Sequence, residues 1–362
     1  MAANCTIAPE AVPSDAGVAG IGVLLSFIVT AAISLLISAS LVFQEVRYTR
    51  NRASASPSSS STLKPSTLRR KLLNAYSDQQ ILTGIGIQSV GLAKTSTMSQ
   101  YHFFLVWMLS LLSMAVHNAT LLALARDFRR DWVLRWMRQA LMLANLVLSS
   151  VYGAFVLQAV RRGLSNATLP VACAWRGDTV VPPGGNGGDN VGLSYFGTIA
   201  VITGNIVVFA LATWYLHSRA RRLYAVFRVV GLLLMLASAV GATARVVLLA
   251  DAFSDATPIP LADPGERDWS FGQLLSVGML LLPLVSAVEI LRGEIRCAPP
   301  VAVEGAEGDD RAWDGRLLGE RREEEEEEEL RSNSNKGRMA AASTAEFQPN
   351  PFWSSQMSLS RK

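Results

Sequence analysis

The sequence has few of the residues that membrane and soluble catalytic sites commonly need. It contains only three histidines, His102, His117 and His217, which is too few for the multi-histidine di-iron sites of membrane desaturases and hydroxylases. It has no HExxH zinc motif and no glycine-rich phosphate loop. The apolar segment 271–291 contains no lysine, which excludes a retinal Schiff base. We therefore predict that the protein is not an enzyme and that it binds neither a metal nor a cofactor.

Charged residues are also scarce, at 17% of the chain against about a quarter in typical soluble proteins. Half of the residues are hydrophobic. They concentrate in seven segments, most of them about 20 residues long, which is the length that an α-helix needs to cross a bilayer. Such segments have to be helices, because their backbone polar groups find no water in the hydrocarbon core. The sequence thus predicts an all-α, polytopic transmembrane bundle with spans at 17–43, 81–98, 103–124, 140–160, 195–216, 226–250 and 271–291.

The loops between these segments carry unequal numbers of basic residues. Sixteen lie in 47–71, 126–138 and 219–228, whereas the alternate loops hold five. The positive-inside rule places the basic loops in the cytosol, so the N-terminus is predicted outside and the C-terminus in the cytosol. The first segment is too long for the apolar region of a cleavable signal peptide, and we expect an uncleaved anchor. We prefer the plasma membrane over an internal membrane as the location.

The segment 81–98 has the weakest membrane-spanning character of the seven. It contains several small residues together with Gln88, Ser89 and Lys94. The alternative is an interfacial or re-entrant segment. Without a crossing here, however, the basic loop 126–138 would lie on the opposite side from 47–71, so the alternation of charge favours a true span.

By composition, the chain divides into an outer N-terminus at 1–16, a transmembrane domain at 17–291 and a tail at 292–362. The tail contains an unbroken glutamate run at 323–329 and lacks the apolar content to fold, so we predict a disordered cytosolic segment. The tail and the loop 44–78 are the candidate surfaces for cytosolic protein partners. Basic residues beside the spans are expected to contact the lipid bilayer and no nucleic acid. The ligand is not indicated.

The three cysteines differ in their predicted surroundings. Cys5 and Cys173 both fall on the outer side, where a disulfide between them suits an oxidising compartment; two unpaired thiols are the alternative. Cys297 lies six residues beyond the last span and is a candidate for palmitoylation, with an inert thiol as the alternative. Asn4 and Asn166 begin glycosylation sequons on the outer side.

Polar side chains within the spans are candidates for function because burying them in a membrane is costly. His117 and Asn118 lie in the inner half of the third span, and Asn205 lies near the middle of the fifth. Small-molecule sites use scattered polar groups of this kind in an apolar pocket, so these three form a candidate intramembrane polar site. The alternative is hydrogen bonding between helices. His117 is the strongest candidate, because an imidazole can also carry protons.

Several elements resemble uncharacterised seven-span integral membrane proteins of filamentous fungi. They are Ser77-Asp-Gln-Gln-Ile-Leu-Thr-Gly, the pair Tyr101-His, and Trp269-Ser-Phe-Gly-Gln with Pro283 and Glu289 downstream. The resemblance covers about residues 17–295. It implies seven helices and brings no established activity or catalytic residue. The first element has the composition of a helix start, with Ser77 or Asp78 as the cap.

These features favour a non-catalytic membrane protein that is receptor- or sensor-like. Seven spans, an outer N-terminus and a serine-rich cytosolic surface are typical of that class. A small-solute transporter or channel is the first alternative, and it predicts that His117, Asn118 and Asn205 line one cavity. A membrane scaffold that uses the acidic tail for interaction is the second alternative.

Overall fold

The computed structural model describes residues 5–54, 67–130, 132–164, 168–176, 191–217, 224–253 and 260–292. These residues belong to one compact unit. Within these ranges the chain forms a short 3-10 helix, Val171–Trp175, and ten α-helices. The helices are α1 Ala16–Ala19, α2 Ile21–Ser54, α3 Thr67–Ala93, α4 Gln100–Ala123, α5 Ala125–Arg130, α6 Trp132–Arg161, α7 Val191–His217, α8 Tyr224–Leu249, α9 Phe271–Met279 and α10 Leu282–Leu291.

Six stretches of helix are long and apolar enough to cross a membrane. They are Ala16–Arg47, Gln100–Ala123, Arg135–Arg161, Tyr195–Trp214, Val226–Leu249 and Phe271–Val288. Large apolar side chains are exposed on the outward faces of α6 to α10, among them Leu143, Phe196, Trp214, Leu233, Leu274 and Leu284. Soluble proteins rarely expose an apolar surface of this extent, so the all-helical fold is that of a membrane protein.

Helix α4 lies at the centre of the bundle and packs against α2, α3, α6, α7 and α8. All of its residues except Phe104 are buried. A helix that is apolar on every side needs protein or lipid on every side, and here the neighbouring helices supply it. The side chains of α4 therefore form the core that positions the polar residues of its neighbours.

Several predicted boundaries differ from the structure. The predicted span 81–98 is not among the six apolar helices, and α3 ends at Ala93, five residues earlier than predicted. Ser99 then caps α4 by accepting a hydrogen bond from the His102 amide. In the predicted loop 44–78, α2 continues to Ser54 and α3 already begins at Thr67. Hydropathy marks where a segment leaves the membrane, but helical hydrogen bonding continues beyond that point.

The interpretation of Ser77 and Asp78 as a helix cap is wrong, because both lie ten or more residues inside α3. Their side chains instead point to other helices: Ser77 lies near His117 of α4, and Asp78 pairs with Arg138 of α6. Short polar residues cap a helix by accepting from the amides of its first turn, and the amides that follow Ser77 and Asp78 inside α3 already have partners in the helix.

The long helices alternate in direction between two ends of the bundle. At one end, which we call the cap, residues 5–15, 94–99, 168–176 and 260–270 join through backbone hydrogen bonds such as Val12 N to Pro260 O and Val171 N to Met98 O, each 3.0 Å long. At the other end, the base, α3 begins beside α2, α5 and α6. The 27-residue α3 thus runs from base to cap alongside its neighbours.

The last span is divided into α9 and α10. The interruption falls at Leu280 and Leu281, and Pro283 is the second residue of α10. Proline has no amide proton and its ring excludes the carbonyl four residues earlier, so the α-helical ladder cannot continue across it. Leu280 and Leu281 donate instead to the carbonyls three residues before them. The division separates α9, which borders the cleft described below, from α10.

Candidate functional site

His117 belongs to a buried polar network between α3 and α4. The Ser113 hydroxyl is 2.9 Å from His117 Nε2, and the Ser77 hydroxyl is 3.4 Å from Nδ1. Ser113 donates its one proton to the backbone oxygen of Gln80 at 2.9 Å, so the proton between Ser113 and His117 belongs to Nε2. Nδ1 then accepts from Ser77. A neutral imidazole satisfies all of these contacts, which is the geometry of interhelical hydrogen bonding.

The network continues toward the cap along α3 and α6. The Gln88 amide donates to Asn145 Oδ1, and the Tyr152 hydroxyl donates to the Gln88 backbone oxygen at 2.7 Å. Gly91 leaves room for the Tyr152 ring, since a Cβ at Gly91 would lie 2.0 Å from the hydroxyl oxygen. Of the polar residues that weaken the apolar character of 81–98, Gln88 therefore faces α6 inside the bundle, whereas Ser89 and Lys94 are exposed.

The three predicted intramembrane site residues contact different parts of the bundle. His117 faces α3, whereas the Asn118 amide nitrogen is 3.4 Å from the sulfur of Met235 on α8. Asn205 donates to Val201 O, one turn earlier on its own helix, at 3.0 Å. No hydrogen bond joins any two of the three within the described part of the chain. This arrangement gives no support to the cavity that the transporter alternative requires.

At the base, charged residues tie α3 to its neighbours. Arg138 of α6 is buried and donates to Asn74 at 2.8 Å as well as to Asp78, and both acceptors lie on α3. Arg70 donates to Asp127 of α5 at 2.6 Å. Charge-assisted hydrogen bonds at the basic end of the molecule thus link α3 to α5 and α6.

At the cap, Cys5 and Cys173 form a disulfide with their Cα atoms 5.5 Å apart. Both are buried together with Leu164 and Leu169 in a small apolar cluster. This is the pairing that the sequence left open against two free thiols. It holds the segment 5–15 against the 3-10 helix.

The N-terminal segment is also held by polar contacts. Hydrogen bonds from the Ser14 hydroxyl and the Gly265 amide hold the pKa of the Asp263 carboxyl below its usual range. The Asp263 carboxylate therefore stays ionised, and keeps its contact with Ser14, to a lower pH than an ordinary aspartate would. Lys94, which follows α3, pairs with Asp15 at 2.8 Å.

Beneath these contacts lies a fully buried carboxylate, Glu266. One of its oxygens is 2.6 Å from His102 Nε2, and the other accepts from the Tyr101 hydroxyl at 3.0 Å. The Glu266 backbone oxygen accepts from the Ile21 amide at 3.0 Å. Asp251 donates its backbone amide to the same Tyr101 hydroxyl at 2.9 Å. Glu266 therefore joins the starts of α2 and α4 to the segment before α9.

A cleft of about 290 Å³ lies between α2, α3 and α9. Polar, glycine and apolar residues line it, and none of them is ionisable: Gly17, Val18, Val23, Ser26, Phe27, Thr30, Gln79, Gln80, Thr83, Gly86, Ile87, Val90, Leu275, Ser276 and Met279. We call it the α2–α3–α9 cleft. Its size is at the lower end of the range for small-molecule sites.

Gln80 is the most informative residue of the α2–α3–α9 cleft. Its side chain is 1% exposed, and its amide nitrogen is 3.4 Å from the backbone oxygen of Phe27. That contact orients the amide, and the remaining Oε1 is buried with no hydrogen-bond partner among the described residues. Gln79 Oε1 is also buried and has no hydrogen-bond partner among the described residues. Buried carbonyl oxygens are normally satisfied, so each of these two retains the capacity to accept a hydrogen bond.

The sequence interpretation missed this cleft, although part of its signal was present. Gln79 and Gln80 belong to the element that was assigned to a helix cap. Ser26, Thr30 and Ser34 recur every fourth residue along the first span, which marks one polar face of α2. The Glu266 site had no such signal, since its partners come from residues 101 and 102, far away in the sequence.

Several predicted sites lie outside the described residues. These are Asn4, Asn166, Cys297 and, apart from Arg292, the tail 292–362. Within the described ranges no three His, Cys, Asp or Glu side chains come together in a way that could hold a metal ion. Comparison with known proteins gave no match: no family model, curated protein or solved structure is similar to this chain.

Proposed function

We propose that the protein is a non-catalytic, receptor- or sensor-like integral membrane protein that binds a small molecule in the α2–α3–α9 cleft. The observation that carries the proposal is the double role of α3. Gln79 and Gln80 line the cleft, and the adjacent Asp78 pairs with Arg138 at the base. A ligand that shifts α3 in the cleft therefore also acts on the contacts at the basic end.

We further propose seven spans, with the cap outside and the base in the cytosol. Supporting this, α3 runs parallel to the apolar helices and its polar residues Gln80 and Gln88 face the interior. A helix shielded in this way does not need high hydropathy to cross. The base carries the basic residues, which agrees with the positive-inside rule. The disulfide at the cap agrees with an oxidising outer side.

The plasma membrane remains our preferred location, and the relation to the fungal membrane proteins remains an inference from sequence elements. A solute transporter is the weaker proposal, because its three polar residues face different helices. The scaffold alternative depends on the tail, which lies outside the described residues.

The test is whether occupation of the cleft moves the base. Gly86 lines the cleft, and a Cβ built there meets nothing within 4 Å, so Gly86→Leu fills the cleft without a clash at Cβ. Spin labels are attached at Lys71 of α3 and Met137 of α6 in a Cys297→Ser background. Pulsed electron paramagnetic resonance of the protein in nanodiscs then measures the distance between the two helices. We expect Gly86→Leu to shift that distance by about 1–2 Å, the scale of helix movements in switching proteins.

Gly241→Leu is the matched control. A Cβ at Gly241 also meets nothing within 4 Å, and this glycine of α8 does not line the cleft. The control should leave the distance distribution unchanged. If Gly86→Leu is equally silent in folded protein, the base is not coupled to the cleft and the receptor-like proposal is wrong.

A further inference from the structure

We infer that the α2–α3–α9 cleft binds an uncharged, chain-like molecule with a hydroxyl group at one end, such as a long-chain alcohol. This inference rests on the proposed function in so far as the cleft is taken as the ligand site. It goes further by naming the chemistry of the ligand, and it follows from the distribution of donors and acceptors in the cleft.

The hydroxyl groups of the cleft have already used their protons. Ser26 donates to Val23 O at 2.8 Å, Thr30 to Ser26 O at 2.6 Å and Thr83 to Gln79 O at 2.9 Å. Each of these oxygens keeps lone pairs and can only accept a further hydrogen bond. These hydroxyl groups therefore offer acceptors to a ligand, and no donors.

The two glutamine oxygens are the groups of the cleft that most need a hydrogen-bond donor from the ligand. Gln80 Oε1 and Gln79 Oε1 are buried acceptors without partners among the described residues, and each such oxygen is costly to leave unsatisfied. A hydroxyl group of a ligand would satisfy one of them. A carboxylate or phosphate would bring further acceptors to the same oxygens and would be repelled.

Charge and shape define the rest of the ligand. No ionisable side chain lines the cleft, so a charged ligand would be desolvated without a counter-ion. The lining of α3 extends from Gln79 to Val90, which is about 16 Å along a helix. Apolar residues such as Val18, Val90 and Leu275 continue the cleft beyond the polar groups. An aliphatic chain with a terminal hydroxyl matches this arrangement.

The experiment uses decan-1-ol carrying a photoreactive diazirine in its chain, added to the full-length protein in nanodiscs. After irradiation, mass spectrometry locates the labelled residues. We expect labelling in the cleft that unlabelled decan-1-ol prevents by competition. Its methyl ether, which cannot donate a hydrogen bond, and decanoate should compete at least about tenfold more weakly. Labels spread over the lipid-facing surfaces, or equal competition by the ether, would overturn the inference.

Two variants and their controls test the residues. Gln80→Met removes the unpaired acceptor and should weaken competition by decan-1-ol about five- to tenfold. Gln139→Met is its control, since Gln139 is also a buried glutamine with unpartnered amide atoms, but it lies on α6 and does not line the cleft. Gly86→Leu should abolish labelling in the cleft, and Gly241→Leu should not.

The two proposals can fail separately. Specific labelling with no movement of the base in Gly86→Leu supports the alcohol site and removes the receptor-like function. Movement of the base together with equal competition by alcohol and ether supports the coupling and overturns the chemistry inferred for the ligand.

Discussion

At the scale of single residues, two glycines of α3 make opposite predictions. Gly91 faces the buried Tyr152, whose ring stacks on Phe103 at 4.0 Å and whose hydroxyl is bonded to Gln88 O, so the tyrosine cannot move aside. Gly91→Ala should therefore destabilise the fold by about 1–3 kcal/mol, the usual cost of overpacking. Gly86→Ala should be neutral or stabilising by up to about 1 kcal/mol, because alanine favours a helix and the position is open. The thermal unfolding midpoints of the two purified variants test this difference. Equal midpoints would contradict the packing of α3 on α6.

The buried carboxylate of Glu266 gives a second prediction at this scale. Glu266→Gln keeps the shape but weakens the contacts to His102 and Tyr101, and it should cost about 1–3 kcal/mol. Asp263→Asn changes an exposed carboxylate of the same cap segment and should alter the midpoint little. The comparison is made by thermal unfolding in nanodiscs. An Asp263→Asn effect as large as that of Glu266→Gln would mean that burial does not set the importance of these carboxylates.

At the scale of elements, the cap depends on a covalent link between distant segments. Cys5→Ser should loosen residues 5–15, because only short hydrogen-bonded contacts then hold them. We expect exchange at the Val12 and Ala262 amides, which donate across this contact, to rise at least about tenfold, the factor that corresponds to 1.4 kcal/mol. Hydrogen–deuterium exchange read by mass spectrometry measures it.

The control lies in the same cap. The amides of Val171 and Ala172 donate to Met98 O and Thr95 O, and these bonds do not involve the N-terminal segment. Their exchange should change much less. If all four amides remain protected in Cys5→Ser, the disulfide adds nothing to the order of the cap.

At the scale of the whole molecule, the proposed seven crossings predict that the cap and the base lie on opposite sides of the membrane. Single cysteines at Arg176 and Asp268 of the cap, and at Met137 of the base, test this in a Cys297→Ser background. An impermeant thiol reagent on intact cells should label the first two and not the third. Labelling at Met137 from outside would contradict the proposed orientation. No labelling until the plasma membrane is opened would place the protein in an internal membrane.

The sequence by itself determined the membrane class, the helical content and the basic end. Hydropathy and charge are properties of each residue, and an apolar segment in a bilayer has to be a helix however its side chains pack. It left open which of the polar residues face one another, because hydropathy does not specify the rotation of a helix about its axis. Only the tertiary structure decided that Gln88 and Ser77 of α3 face inward, that Cys5 meets Cys173, and that Gln80 borders a cleft. The same holds for Glu266, whose burial depends on helix starts brought together from distant parts of the chain.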